Sequence, residues 1–264
     1  MSIPGRRRIT VVLLDKPQSR ELLSLGATIA SLLQAEIEGV FIEDDALFRL
    51  TGLPFLRELR WGSRHEARLD PARLTQEWRA IAKQTREVLE ESAKRAGLSW
   101  SFRVWRGEYD SDLGQLATDS EMLLMGRHGS LSPRRFSTRY RPATAAPKPL
   151  RLGVIVDAGM AEPRLLETIT ELAQKPEIEI VLFLPPDEGR PLIETLDDHL
   201  RHHDPEQLIS LIRITDKEPV KLAKQLKASA CDLLMISERS SMLKGPTIKR
   251  ILEDLPYPTV VVRK

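Results

Sequence analysis

Between Gly126 and Val156 the chain carries Arg127, Arg134, Arg135, Arg139, Arg141, Lys148 and Arg151, and no acidic residue. Guanidinium groups offer forked donors to phosphate or carboxylate oxygens, so such a run suits a small anionic ligand. Its Ser, Pro and Ala content favours the plainer reading of a solvated linker. A second cluster is Asp198, His199, His202, His203 and Asp204. His199 and His203 are four apart, a spacing that puts two imidazoles on one helix face. Histidines near a helix end are more simply read as partners of its negative dipole, so no metal ligand is expected. Cys231 is the single cysteine and precedes an apolar run. No base can be assigned to it, and a small buried thiol is expected rather than a nucleophile. No Ser-His-Asp order, metal-hydrolase motif or Walker loop is present, so no catalytic residue is nominated and an enzyme is not the expectation.

The frame that positions these groups is an alternation of strands and helices, and it occurs twice. Ile9 to Leu14 is a short β-branched run suited to a buried parallel strand. Ser19 to Gln34 has helical spacing of leucines, Glu36 to Ile42 is a second strand, and a loop spans Glu43 to Leu69. Pro71 opens a long polar helix that ends near Gly97. Trp100 to Trp105 alternates as a strand, with the two tryptophans on opposite faces. A short helix near Leu113 to Thr118 and a strand Met122 to Met125 follow. In the second half, Leu152 to Val156 repeats the first strand, and Asp157 falls where Asp15 fell. Helices are expected over Leu165–Gln174, Leu192–His203, Pro219–Ala228 and Thr247–Glu253. Strands are expected over Ile178–Leu184, Leu208–Ile214, Asp232–Ile236 and Thr259–Val262.

This order predicts an α/β fold with two tandem doubly wound parallel-sheet domains, residues 1–145 and 148–264. The first lacks the last helix and strand, since nothing between Met125 and Leu150 resembles Thr259 to Val262. The 264 residues suit two domains. A net charge of +2 gives no bulk field demanding nucleic acid or a membrane, and neither is an expected partner. Arg6-Arg7-Arg8 before an apolar run imitates a signal peptide, but Asp15 ends that run too early. No run nears the roughly twenty apolar residues of a membrane span. A cytoplasmic protein is expected.

The element order resembles that of the universal stress proteins, in their tandem bacterial form. Phe41-Ile42-Glu43-Asp44 with Leu50-Thr51-Gly52-Leu53-Pro54-Phe55, Met125-Gly126-Arg127-His128-Gly129-Ser130, and Leu255-Pro256-Tyr257-Pro258-Thr259-Val260-Val261-Val262 carry the likeness. It implies a universal-stress-protein-like, adenine-nucleotide alpha-hydrolase-like fold and a binding or regulatory protein of the stress response. It also implies a site for ATP or a related adenine nucleotide in the first half, with Asp15, Val40, Gly126, Arg127, Gly129 and Ser130 as candidate residues. Glycines let backbone N–H groups reach phosphate oxygens, and an aspartate can accept from ribose or base. The motif is degenerate. Arg139-Tyr140 stands where the family has Gly-Ser or Gly-Thr. In the second half Ser237-Glu238-Arg239-Ser240 replaces the glycine loop, which predicts no nucleotide there. The competing functions are a nucleotide-free protein–protein interaction module and a weak ATP hydrolase. A homodimer is expected, formed by the closing strand Thr259–Val262 pairing with its copy in a second chain.

Overall fold

The computed structural model describes residues 7–14, 16–51, 53, 57–59, 66–68, 70–107, 120–126, 148–156, 163–184, 209–214, 219–240 and 257–263. In chain order these form β1 (Arg8–Leu13), α1 (Lys16–Leu32), β2 (Glu36–Asp44), α2 (Asp45–Leu50), β3 (Arg57–Leu59), β4 (Glu66–Arg68), α3 (Pro71–Ala96), β5 (Trp100–Gly107) and β6 (Met122–Met125). The second half follows with β7 (Leu150–Ile155), α4 (Pro163–Ala173), β8 (Ile178–Leu184), β9 (Ile209–Arg213), α5 (Pro219–Ala228), β10 (Leu233–Ser237) and β11 (Thr259–Val262). The helices expected over 113–118, 192–203 and 247–253, the Asp198–Asp204 cluster and the proposed domain boundary fall outside the described residues.

Local sequence explains where elements begin and end. Asp70 caps α3, its carboxylate accepting from Ala72 N–H at 3.0 Å, with Pro71 in the first turn. Gly97 ends it at φ 65°, where Leu98 N–H reaches the Ala93 carbonyl at 2.9 Å. Trp78, Ala82, Thr85, Leu89 and Ala93 make its buried stripe. The expected loop after β2 holds more structure than its composition showed. Asp44 caps the short helix α2, and β3 and β4 form an antiparallel pair.

The strand order is β5-β2-β1-β6-β11-β10-β7-β8-β9 in one nine-stranded sheet. The first four strands run parallel to one another, as do the last five. Each half therefore has the same order about its first strand, β5-β2-β1-β6 and β9-β8-β7-β10. Matching contacts follow the repeat. Arg8 pairs with Glu36 at 3.7 Å and Arg151 with Glu179 at 3.2 Å. Glu121 N–H donates to Arg8 carbonyl, and Asp232 N–H to Arg151 carbonyl.

The junction corrects one expectation. β11 pairs parallel with β10 and antiparallel with β6, from Thr259↔Met125 to Val262↔Met122. Both its edges are occupied inside one chain, so it cannot pair with its copy in another. The physical reason is the edge that β6 would present with no fifth strand beside it; β11 covers that edge as well as completing the second half. The halves consequently share a sheet and a core. Met122 and Leu124, Val260 and Val262, and Leu152 and Val154 belong to one apolar cluster beneath α1, α3 and α4. On the opposite face α5 places Leu222 and Leu226 over β7, β8 and β10. Polar groups follow the seam. Arg164 of α4 donates to the Glu121 carboxylate at 2.6 Å, Arg7 pairs with Glu171 and Glu121, and Arg263 N–H donates to the Glu121 carbonyl at 2.7 Å.

Candidate functional site

In a doubly wound sheet the crevice for a ligand opens at the carboxyl ends of the two strands where the order reverses. Here those are β1 and β6 in the first half, and β7 and β10 in the second. Because the junction is antiparallel, the two crevices open at opposite ends of the strands.

The first-half crevice rests on a row of side chains built by register. Val12 lies opposite Val40 on one side and Met125 on the other. Val40 lies opposite Arg103, and Met125 opposite Thr259. With Ile42 and Leu123, these valines and Met125 form a compact buried cluster, and Trp105 and Val261 pack at its margin. One level nearer the amino ends the same face turns polar. Thr10 Oγ1 donates to Glu38 at 3.0 Å and bonds to Ser120, and Arg103 Nε donates to the other Glu38 oxygen at 3.2 Å. The Arg103 guanidinium also lies 5.6 Å from the Trp105 ring centroid. At the far end of β2 and β5, Arg106 makes two bonds to Glu43, at 3.1 and 3.3 Å, and lies 4.9 Å over Phe48. The β1 strand then reaches Leu14, which is exposed, and β6 reaches Gly126, which is half-buried.

Of the candidate nucleotide residues, Val40 and Gly126 are described. β2 and β6 flank β1 and bring them to the same end of the sheet, with Val40 in the buried floor and Gly126 at the rim. Asp15, Arg127, Gly129 and Ser130 fall outside the described residues. The Glu38–Thr10–Ser120–Arg103 group and the Glu43–Arg106 pair were missed in the sequence. The signal was there: Thr10 and Glu38 interrupt apolar strands at alternate positions.

The second-half crevice differs in kind. Glu238 N–H donates to the Val262 carbonyl at 2.8 Å, Arg239 N–H to Ser237 Oγ at 3.1 Å, and Ser240 N–H to the Ser237 carbonyl at 3.0 Å. All three amides after β10 are spent within the protein, and the Glu238 carboxylate is paired with Arg263. A phosphate at residues 238–240 would meet a carboxylate and no unspent N–H. At the opposite end of β10 a buried group gathers Cys231, Ser229 and Tyr257. Burial pushes the Cys231 thiol above its ordinary range, which disfavours the thiolate. Burial also pushes Tyr257 well above the usual phenol range, and the neighbouring Cys231 adds to the effect. Ser229 offsets this only slightly. Its hydroxyl donates to the Leu226 carbonyl at 2.6 Å, and Tyr257 Oη has no hydrogen bond of acceptable geometry.

Among known proteins, no family model and no curated sequence matches this chain. Among solved structures, a universal stress protein from Archaeoglobus fulgidus DSM 4304 is similar over 97% of this chain and 96% of its own, at 11% identity and a TM-score of 0.56. The fold is that of a universal stress protein. A putative universal stress protein from Pseudomonas aeruginosa UCBPP-PA14 aligns over 98% of this chain and 94% of its own, with 13% identity and a TM-score of 0.41. No helix among the described residues is long and apolar enough to cross a membrane.

Proposed function

We propose that the chain is a universal-stress-type binding protein with regulatory rather than catalytic work, and that it takes one adenine nucleotide, in the first half. The observation that carries this reading is the contrast between the two strand ends. After β6 the chain reaches Gly126 at the crevice rim, and the sequence runs on as Arg127-His128-Gly129-Ser130; the two glycines suit a backbone cradle for phosphate. After β10 the amides are spent and a carboxylate stands in the way. The sequence that follows Gly126 is rich in arginine, a residue type suited to phosphate oxygens.

A nucleotide-free interaction module is the second reading, favoured by the loss of the Gly-Ser element at Arg139-Tyr140. Mass spectrometry of small molecules released from freshly purified protein separates the two. An adenine nucleotide at near one equivalent supports the first. Clean protein that also fails to bind added ATP at millimolar concentration supports the second.

A further inference from the structure

With β11 internal, the strands at the two margins of the sheet are β5 and β9. β5 is the longer, in register with β2 from Trp100 to Gly107. No strand among the described residues pairs with its outer side. Ile37 N–H donates to the Ser99 carbonyl, with Ile37 opposite Trp100. In a parallel ladder this register turns the N–H and C=O groups of Ser99, Ser101, Arg103 and Trp105 toward β2. Those of Trp100, Phe102, Val104 and Arg106 then point outward.

We propose that β5 is a self-complementary docking edge, and that its partner is β5 of a second copy of this chain, antiparallel about a two-fold axis at Val104. In that register Val104 meets Val104 of the second copy, Phe102 meets Arg106, and Arg103 meets Trp105. Each outward-facing residue from Phe102 to Arg106 meets another outward-facing one, so the backbone bonds close as the side chains match. The cross-strand pairs repeat a contact the chain already uses here. Arg103 lies over Trp105, Arg106 over Phe48, and Arg86 5.9 Å from Trp100.

Two further observations favour a second copy over a partner of opposite charge. Charged residues on an edge strand ordinarily repel another strand, but Arg103 and Arg106 are paired with Glu38 and Glu43 of β2. The strip is close to neutral, so two copies do not repel. Val104 at the axis is 48% exposed, and α2, which packs on β5, exposes Leu47 and Leu50. An apolar centre flanked by paired charges matches itself.

Sedimentation velocity of the full chain at about 50 µM, a concentration that populates a modest interface, is expected to show a dimer. Val104→Pro removes an outward N–H that an edge strand can spare. It is expected to give a folded monomer, with at least a tenfold weaker self-association. Val104→Cys places two thiols at the axis, where paired Cα atoms lie about 5.5 Å apart, within disulfide reach. Mild oxidation is expected to link Val104→Cys into a dimer and to leave Ser101→Cys unlinked, since position 101 meets 107 rather than itself. A monomeric wild type, a Val104→Pro variant that stays dimeric, or equal linking of the two cysteine variants overturns the proposal. Should Val104→Pro fail to fold, the cysteine comparison decides alone.

Discussion

Glu38 brings a carboxylate into the sheet, where it accepts from Thr10 of β1 and Arg103 of β5. Removing it takes away the acceptor that Thr10 and Arg103 share. Arg103 is partly solvated, which limits the charge contribution. Glu38→Ala is therefore expected to cost about 2 kcal/mol in chemical unfolding, and Glu38→Gln roughly half of that, because the amide oxygen still accepts from Thr10. Equal midpoints for wild type and Glu38→Ala would show that the group contributes nothing to stability.

Tyr257 makes the pH prediction. Its folded pKa is raised above the unfolded value of about 10, so the folded state holds the phenol proton more tightly. The resulting stability is fully present below about pH 10 and is lost as pH rises further, with a slope approaching ~1.4 kcal/mol per pH unit. Tyr257→Phe should flatten the decline of melting temperature above pH 10 while changing neutral stability little, since the hydroxyl makes no well-formed hydrogen bond. Parallel alkaline profiles for the two proteins would contradict this. Glu38 left a signal as a polar interruption of an apolar strand, whereas Tyr257 reads only as a turn residue between two prolines. The burial of each depends on neighbours distant in sequence within its own half, Thr10 and Arg103 for Glu38 and the Cys231 group for Tyr257.

At the scale of elements, most boundaries followed from short-range rules. Pro71 and Gly97 bracket α3 as expected, and β8, α5 and β11 fall on their expected ranges. α1 starts at Lys16, earlier than its leucine spacing implied, and α2 is too short to carry a helical period. The lone error of arrangement concerned β11, because sequence shows that an edge is vacant but not which strand fills it. Val261→Pro would remove a ladder N–H from a strand paired on both sides. It is expected to destabilise the chain by about 3 kcal/mol or more, not to split a dimer. A thermal midpoint within one degree of wild type would place β11 elsewhere. Helix packing gives a second check. A Cβ on Gly26 would lie 2.7 Å from the Val11 side chain, so Gly26→Val should lift α1 from β1 and cost about 1–3 kcal/mol.

For the whole molecule, one sheet with a shared strand means that the halves should unfold together. Trp61, Trp78, Trp100 and Trp105 all lie in the first half, so tryptophan fluorescence reports that half and circular dichroism reports both. A core truncation in the second half, Leu226→Ala on the buried side of α5, is expected to lower both midpoints equally, by about 2–5 kcal/mol in stability. A fluorescence curve left unmoved would show two independent units.

The function turns on how many ligand sites the chain offers. Two repeats suggest two, but the spent amides after β10 leave one crevice with glycine at its rim. Calorimetric titration of the full chain with ATP tests this most directly. The account predicts one equivalent per chain, loss of at least tenfold in affinity in Gly126→Val, and an unchanged isotherm in Glu238→Gln. Two equivalents, or binding that survives Gly126→Val and disappears in Glu238→Gln, would contradict it.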